Sequence, residues 1–188
     1  MEAAEKKQKF SVKDMVFIAI FAALMAVCAW ITIPIPIIPF TLQLFAVFAA
    51  LFTIGGKFGT ISIVIYVLLG LIGVPVFSGF KGGIGVLAGN TGGYIVGFIF
   101  TGLLYWLMTS LLPKKLWAQI VSAVAGLIIC YAFGTAWFII AYSASTGAVG
   151  VIAVLTWCVF PYIIPDLAKI ALAMLVSKAP RRALHLNY

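Results

Sequence analysis

The stretch MVFIAIFAALMAVCAWITI, residues 15–33, contains no charged side chain and no proline. A helix needs about 20 such residues to cross the hydrocarbon core of a bilayer. The whole chain shares this character, because 65% of its 188 residues are hydrophobic and only 9% are charged. Since roughly a quarter of the residues in a soluble domain are charged, the composition predicts an all-α integral membrane protein.

Six transmembrane helices are predicted from the apolar runs and the residues that interrupt them. Prolines end the first run, because proline lacks a backbone donor, and Gly55-Gly56-Lys57 is a helix-stop signal after the second. The first five spans are expected at residues 15–33, 40–54, 58–74, 91–112 and 116–142.

The segment from Ser143 to Asp166 allows two interpretations of the last span. One is a single kinked span over residues 149–177. The other, which we prefer, is a short interfacial or re-entrant piece followed by a span that starts between Pro161 and Pro165. Proline is tolerated in the first turn of a helix and poorly tolerated at its centre.

The placement of basic residues predicts the topology. They cluster at both ends of the chain and at the turns after the second and fourth spans, which is typical of cytoplasmic segments. Residues 1–13 and 179–188 are therefore predicted to be cytoplasmic tails of one domain, residues 1–188, in the cell membrane. The glycine-rich segment 76–89, VFSGFKGGIGVLAG, is predicted to be an external loop between helices 3 and 4.

Several classes of function are not expected from this sequence. The net charge of +8 forms no continuous basic stripe, so no nucleic-acid partner is predicted. The three cysteines are scattered singly, which predicts no metal site. Without a nucleophile–base pair or an ATP-binding motif, the chain is predicted to be neither an enzyme nor dependent on a cofactor.

Asp166 is an acid within apolar sequence, and Lys169 follows three residues later. A charge at mid-bilayer costs about 3 kcal/mol on insertion scales, so such residues are functional candidates. Spacing of three places both side chains on one helix face, where they can pair. We interpret the pair as a polar ligand site facing the bundle interior. The alternative is a structural ion pair in which Lys169 reaches the interface.

If the last helix begins near Pro165, Asp166 also lies in its first turn, where the helix dipole favours an anion. Other polar candidates lie at the predicted external helix ends. These are Thr41 and Gln43 after the prolines, and Asn90, Thr91 and Tyr94 at the start of the fourth span. Their alternatives are exposure to headgroup water for the first two and, for the neighbouring Gly92-Gly93, close helix packing.

The first span carries small residues four apart, at Ala19 and Ala23 and at Ala22 and Ala26. Such spacing allows another helix to approach closely, so it is a candidate partner surface.

Residues 70–98, GLIGVPVFSGFKGGIGVLAGNTGGYIVGF, resemble the signature of the BioY family, the biotin-binding S components of energy-coupling factor (ECF) transporters. Residues 33–43, IPIPIIPFTLQ, and residues 161–169, PYIIPDLAK, resemble the family's two other hallmarks in the same order. At one position the chain departs from the pattern, because Asn90 stands where the family usually has proline before Thr-Gly-Gly-Tyr.

This resemblance implies a six-helix bundle that captures biotin from outside for ATP-driven import. The implied partners are a transmembrane coupling protein, docked at Ala19 and Ala23, and two cytoplasmic ATPases. Phe77, Phe80, Tyr94 and Trp157 are candidates for the apolar walls of the site. The alternatives are an S component for another vitamin, such as thiamine or riboflavin, and a membrane bundle without a transport role. The residues expected around biotin are Asp166, Lys169, Gln43, Tyr94, Asn90, Phe77 and Lys81.

Overall fold

The computed structural model describes residues 11–35 and 38–183, and most of these residues are helical. Its helices and strands are α1 (Val12–Trp30), β1 (Thr32–Ile33), β2 (Phe40–Thr41), α2 (Gln43–Leu71), α3 (Ile84–Ala88), α4 (Gly92–Leu111), α5 (Leu116–Ser145), α6 (Val151–Cys158) and α7 (Phe160–Ala183). The predicted tails lie outside the described residues except where α1 and α7 extend into them.

Five helices, namely α1, α2, α4, α5 and α7, are long and apolar enough to cross a membrane. Many of their outward side chains are large and apolar, as lipid contact requires. The prediction of an all-α membrane protein is therefore confirmed. In the described part of the chain a sixth helix of that length is not found, because the second and third predicted spans are joined in α2.

The helix α2 reverses its direction at Gly55, whose φ of 80° and ψ of 169° lie outside the helical region. Only glycine adopts such a conformation without steric cost. The side-chain amide of Gln43 donates to the hydroxyl of Tyr66 at 2.6 Å, whereas in a straight helix their positions would lie about 34 Å apart. α2 therefore consists of two antiparallel arms, which we call the N-terminal arm and the C-terminal arm.

Glycines allow α4 and α5 to pack closely. A Cβ atom on Gly93 would lie 2.2 Å from the Cβ of Trp137, and one on Gly134 would lie 2.2 Å from the ring of Tyr94. Gly93 thus takes part in close packing between α4 and α5, which was the alternative to a ligand-binding role for Gly92-Gly93. The same contact fixes the ring of Tyr94 against α5.

The glycine-rich segment 76–89 is not wholly a loop, because Ile84–Ala88 forms the short helix α3. Gly83, with a φ of 93°, directly precedes α3, and its conformation turns the chain into the helix. The prediction of one continuous loop missed α3 because five apolar and small residues carry no clear helical period.

The last predicted span is preceded by a separate short helix, α6. Val159, with φ −123° and ψ −59°, interrupts the helical path, and α7 begins at Phe160. Pro161 then lies in the first turn of α7, as proline prefers. Pro165 lies inside the helix, so Asp166 is beyond the first turn. The condition for a dipole interaction at Asp166, a helix that begins near Pro165, is therefore not met.

Candidate functional site

A cavity of about 710 Å³ lies where the starts of α2 and α4 meet the N-terminal half of α7. Small-molecule pockets commonly measure about 300–1,000 Å³. Asn90, although predicted at the site, does not line this cavity, whereas its neighbour Thr91 does. Six of the seven residues predicted around the ligand do line it, namely Gln43, Phe77, Lys81, Tyr94, Asp166 and Lys169.

Asp166 and Lys169 form an ion pair on the cavity wall. The Nζ of Lys169 lies 2.8 Å from Oδ1 of Asp166, and each side chain is only 8% exposed. Tyr131 of α5 donates its hydroxyl to Oδ2 of the same carboxylate at 2.6 Å. The carboxylate of Asp166 is thus stabilised by a cation and a hydroxyl group in a site with little water, where such contacts are stronger than in water.

Aromatic side chains from β2 and α7 surround the lysine. The Nζ of Lys169 lies 3.9 Å from the ring centre of Phe40, which is the geometry of a cation–π contact. Tyr162 stacks on Phe40 with ring centres 6.3 Å apart and donates its hydroxyl to the carbonyl of Ile38. The strand β2 therefore packs against α7 beside the ion pair.

Gln43 connects both arms of α2 to the segment that follows them. Its amide nitrogen donates to the hydroxyl of Tyr66 at 2.6 Å, and this hydroxyl donates to the carbonyl of Val76 at 3.1 Å. Both Gln43 and Tyr66 are buried, so breaking either bond would leave a buried polar group without its partner. This chain of bonds positions the loop that carries Phe77.

The connection between α2 and α3 contributes Phe77 and Lys81 to the cavity. The backbone nitrogen of Phe77 donates to the carbonyl of Lys81 at 2.9 Å, which closes a tight turn. Phe77 is 1% exposed, whereas Phe80 is 65% exposed and stacks on Trp30 instead. The structure therefore places Phe77 in the wall and contradicts the prediction that Phe80 lines it.

Trp157 was also predicted in the wall, but it is 37% exposed and lies outside the cavity lining. Its ring instead contacts the edge of Tyr142 on α5. Residues that sequence reasoning missed include Tyr131, Phe40 and Tyr162. Tyr131 lies 35 residues before Asp166, and its hydroxyl in an apolar run was the only signal of a polar role.

The two alanine pairs of α1 face different surroundings. Ala22 and Ala26 are buried, whereas Ala19 and Ala23 are exposed. The two pairs have the same spacing but differ in burial. The pair Ala22 and Ala26 is covered within the bundle, and the pair Ala19 and Ala23 lies on its outer surface. Ala19 and Ala23 are therefore available to a helix from outside the chain.

Comparison with known proteins identifies similar chains. A model of the BioY family matches residues 4–186. The biotin transporter BioY of Thermotoga maritima is 46% identical over 122 residues, which cover 65% of this chain and 72% of that protein. A probable biotin transporter BioY of Pyrococcus horikoshii is 34% identical over 166 residues, which cover 88% and 94%.

A solved structure, the S-component for biotin from an ECF-type ABC transporter, has a similar fold. Its TM-score is 0.79 at 26% sequence identity, and the match covers 91% of this chain and 92% of that chain. The similarity therefore extends over nearly the whole length of both chains.

Proposed function

Since the chain belongs to the BioY family, we propose that it binds biotin in the cavity around Asp166 and Lys169. It captures biotin from outside the cell as the S component of an ECF transporter. This assignment is supported by the relatives named as biotin transporters and by the similarity to a biotin S-component. The observation that carries it is the buried ion pair on the wall of a ligand-sized cavity.

The chemistry of the cavity suits the chemistry of biotin. Biotin has a ureido group with two N–H donors and one carbonyl, an apolar bicyclic ring and a carboxylate tail. A carboxylate can accept more than two hydrogen bonds and an ammonium has three donors. Asp166 can thus accept from N–H groups, while Lys169 and Gln43 can donate to oxygens. Phe77 and Tyr94 supply wall surface for the ring.

The proposed function requires the chain to cross the membrane six times, with both termini on the cytoplasmic side. The two arms of α2 count as separate crossings because the chain reverses at Gly55. Lys57 at the reversal, Lys114 after α4 and Arg181 at the end of α7 then share one side, and we propose that this side is cytoplasmic because cations are enriched in cytoplasmic segments. The cavity, at the start of α4, then lies toward the opposite side.

Calorimetric titration of the purified chain tests this function. We expect saturable binding of biotin and no binding of thiamine or riboflavin, because neither presents a cyclic urea with two N–H donors to the ion pair. Binding of one of the other two vitamins in place of biotin would assign a different substrate. Failure of all three to bind a folded preparation would remove the transport proposal.

The outer face of α1 is the proposed docking surface for the coupling protein, which acts together with two cytoplasmic ATPases. Ala19 and Ala23 are exposed there, and small residues let a partner helix approach its backbone. We expect Ala19→Trp to abolish co-purification with these partners and to leave biotin binding unchanged. The measurement is pull-down of the coexpressed complex, followed by titration of the isolated variant.

Ala132→Trp is the matched control, because Ala132 is an exposed alanine on a different helix, α5. This variant should assemble as the unmodified chain does. If Ala19→Trp also assembles normally, the docking surface lies elsewhere.

A further inference from the structure

The two lysines of the cavity differ in their exposure to solvent. Lys169 and its partner Asp166 are buried, with side chains only 8% exposed. Lys81 lines the same cavity but is exposed. A side chain that lines a cavity and still reaches solvent lies near the opening of that cavity. The ion pair therefore marks the deep end of the cavity, and Lys81 marks its mouth.

The position of Lys81 is fixed by the turn that carries it. Phe77 and Lys81 form an antiparallel bridge, and residues opposite each other in such a bridge point their side chains to the same face. Phe77 is buried in the cavity wall. A Cβ atom on Gly82 would lie 2.3 Å from the carbonyl oxygen of Val74, so the turn packs directly on the backbone that precedes it. Lys81 thus extends from a well-packed turn toward the cavity.

The ammonium group of Lys81 makes no ion pair or hydrogen bond within the described part of the chain. The acids in this part are Asp14 and Asp166. Asp14 lies in the first turn of α1, whereas the opposite end of α1 contacts the segment that carries Lys81. Asp166 is paired at the deep end of the cavity. The ammonium of Lys81 is therefore available to an anionic ligand.

The hydroxyl group of Ser78, in the same turn, is committed to the protein. Thr32 donates to the carbonyl of Ala29 at 2.6 Å, and its oxygen lies 3.1 Å from that of Ser78. Because a threonine hydroxyl has one proton, Ser78 must be the donor in the contact with Thr32. Both hydroxyls line the cavity, but their protons are already used. Lys81, rather than Ser78, is therefore the side chain of this turn that can donate to an anion.

The deep end of the cavity suits an uncharged polar group. Asp166 and Lys169 have opposite charges that compensate each other. A ligand carboxylate beside them would bring a second anion into a buried site with one cation, and burial of an unpaired charge is costly. A urea adds no charge, and it offers two N–H donors to the carboxylate and a carbonyl to the ammonium.

We propose that Lys81 binds the carboxylate tail of biotin, while the ureido group meets Asp166 and Lys169. The bound ligand then has its ring at the deep end of the cavity and its tail at the mouth. This inference rests on the proposed function and adds the orientation of the ligand to it. Lys81 determines specificity in this arrangement, because it distinguishes ligands that have a carboxylate tail from ligands that lack one.

Calorimetric titration with two ligands tests this orientation. Biotinol has a hydroxymethyl group in place of the carboxylate and keeps the ureido ring. We expect Lys81→Gln to weaken binding of biotin about fivefold, as for a partly exposed ion pair, and to leave the affinity for biotinol unchanged. Lys81→Arg keeps the cation and should retain the affinity for biotin. Equal losses for both ligands in Lys81→Gln would indicate a structural role and overturn the proposal.

Lys115→Gln is the matched control, because Lys115 is exposed and does not line this cavity. The substitution removes the same charge and should leave both affinities unchanged. An equal loss of biotin affinity in Lys115→Gln and Lys81→Gln would reveal only diffuse attraction and would reject the proposal. Thermal unfolding verifies that each variant is folded.

The reverse orientation predicts a different pattern. Asp166→Asn should weaken binding of biotin and biotinol by the same factor, because both ligands carry the ureido group. If the ratio of the two affinities changes in Asp166→Asn and stays constant in Lys81→Gln, the tail lies at the deep end and the proposal is wrong. If the unmodified chain binds neither ligand, the proposed function fails together with the orientation. Normal biotin binding in Lys81→Gln would remove the orientation alone.

Discussion

Asp166→Asn is expected to weaken biotin binding at least tenfold, which corresponds to about 1.4 kcal/mol or more. The substitution removes the charge that holds Lys169 at 2.8 Å and replaces an acceptor by an amide that also donates. The buried ammonium then lacks its counter-charge, and breaking a buried pair costs about 3–5 kcal/mol. Calorimetric titration with biotin measures the affinity, and thermal unfolding measures the stability.

A second variant separates loss of binding from loss of folding. Asp166→Asn combined with Lys169→Met removes both charges, so stability should recover relative to Asp166→Asn alone. The affinity for biotin should stay low, because the charged contacts to the ligand are gone. Wild-type affinity in folded Asp166→Asn would show that the carboxylate is a structural group and no ligand contact.

Gly70→Ala is expected to disturb the cavity proposed to bind biotin, although Gly70 does not line it. A Cβ atom on Gly70 would lie 1.9 Å from Cζ of Phe77, whose side chain is buried. The carbonyl of Gly70 accepts from the backbone nitrogen of Gly83 at 2.6 Å, so the helix and the loop are fixed to each other. The ring must therefore move, and overpacking of this kind costs about 1–3 kcal/mol.

The measurements are the unfolding temperature and the affinity for biotin, both of which should fall. Gly150→Ala serves as the control, because nothing lies within 4 Å of the added Cβ there. Adding Phe77→Leu to Gly70→Ala should recover stability, since the smaller side chain leaves room for the methyl group. If Gly70→Ala alone behaves as the unmodified chain, the contact with Phe77 does not hold the wall in place.

The long helices could be predicted from sequence because their signal is local. The fourth span was expected at residues 91–112 and is observed as Gly92–Leu111. The fifth was expected at 116–142 and is observed as Leu116–Ser145. Apolar length and a proline or glycine at each end are enough to define such segments. The ion pair of Asp166 and Lys169 was equally readable, since three residues is a fixed spacing on a helix.

Features that depend on distant contacts could not be predicted. The pairing of β1 with β2 involves two residues on each strand, which is too short for a periodic pattern. Tyr131 meets Asp166 only because α5 and α7 enclose the same cavity. The start of α7 at Phe160 could not be predicted from the sequence either, because Pro161 and Pro165 are both compatible with the first turn of a helix.

Among the described residues that line the cavity proposed to bind biotin, those charged at neutral pH are one acid, Asp166, and two bases, Lys169 and Lys81. Their formal charges sum to +1, so a ligand with one ionised carboxylate makes the occupied cavity electrically neutral. An uncharged derivative such as a biotin amide leaves this positive charge uncompensated. We therefore expect the free vitamin to be preferred over forms joined to other molecules through the carboxyl group.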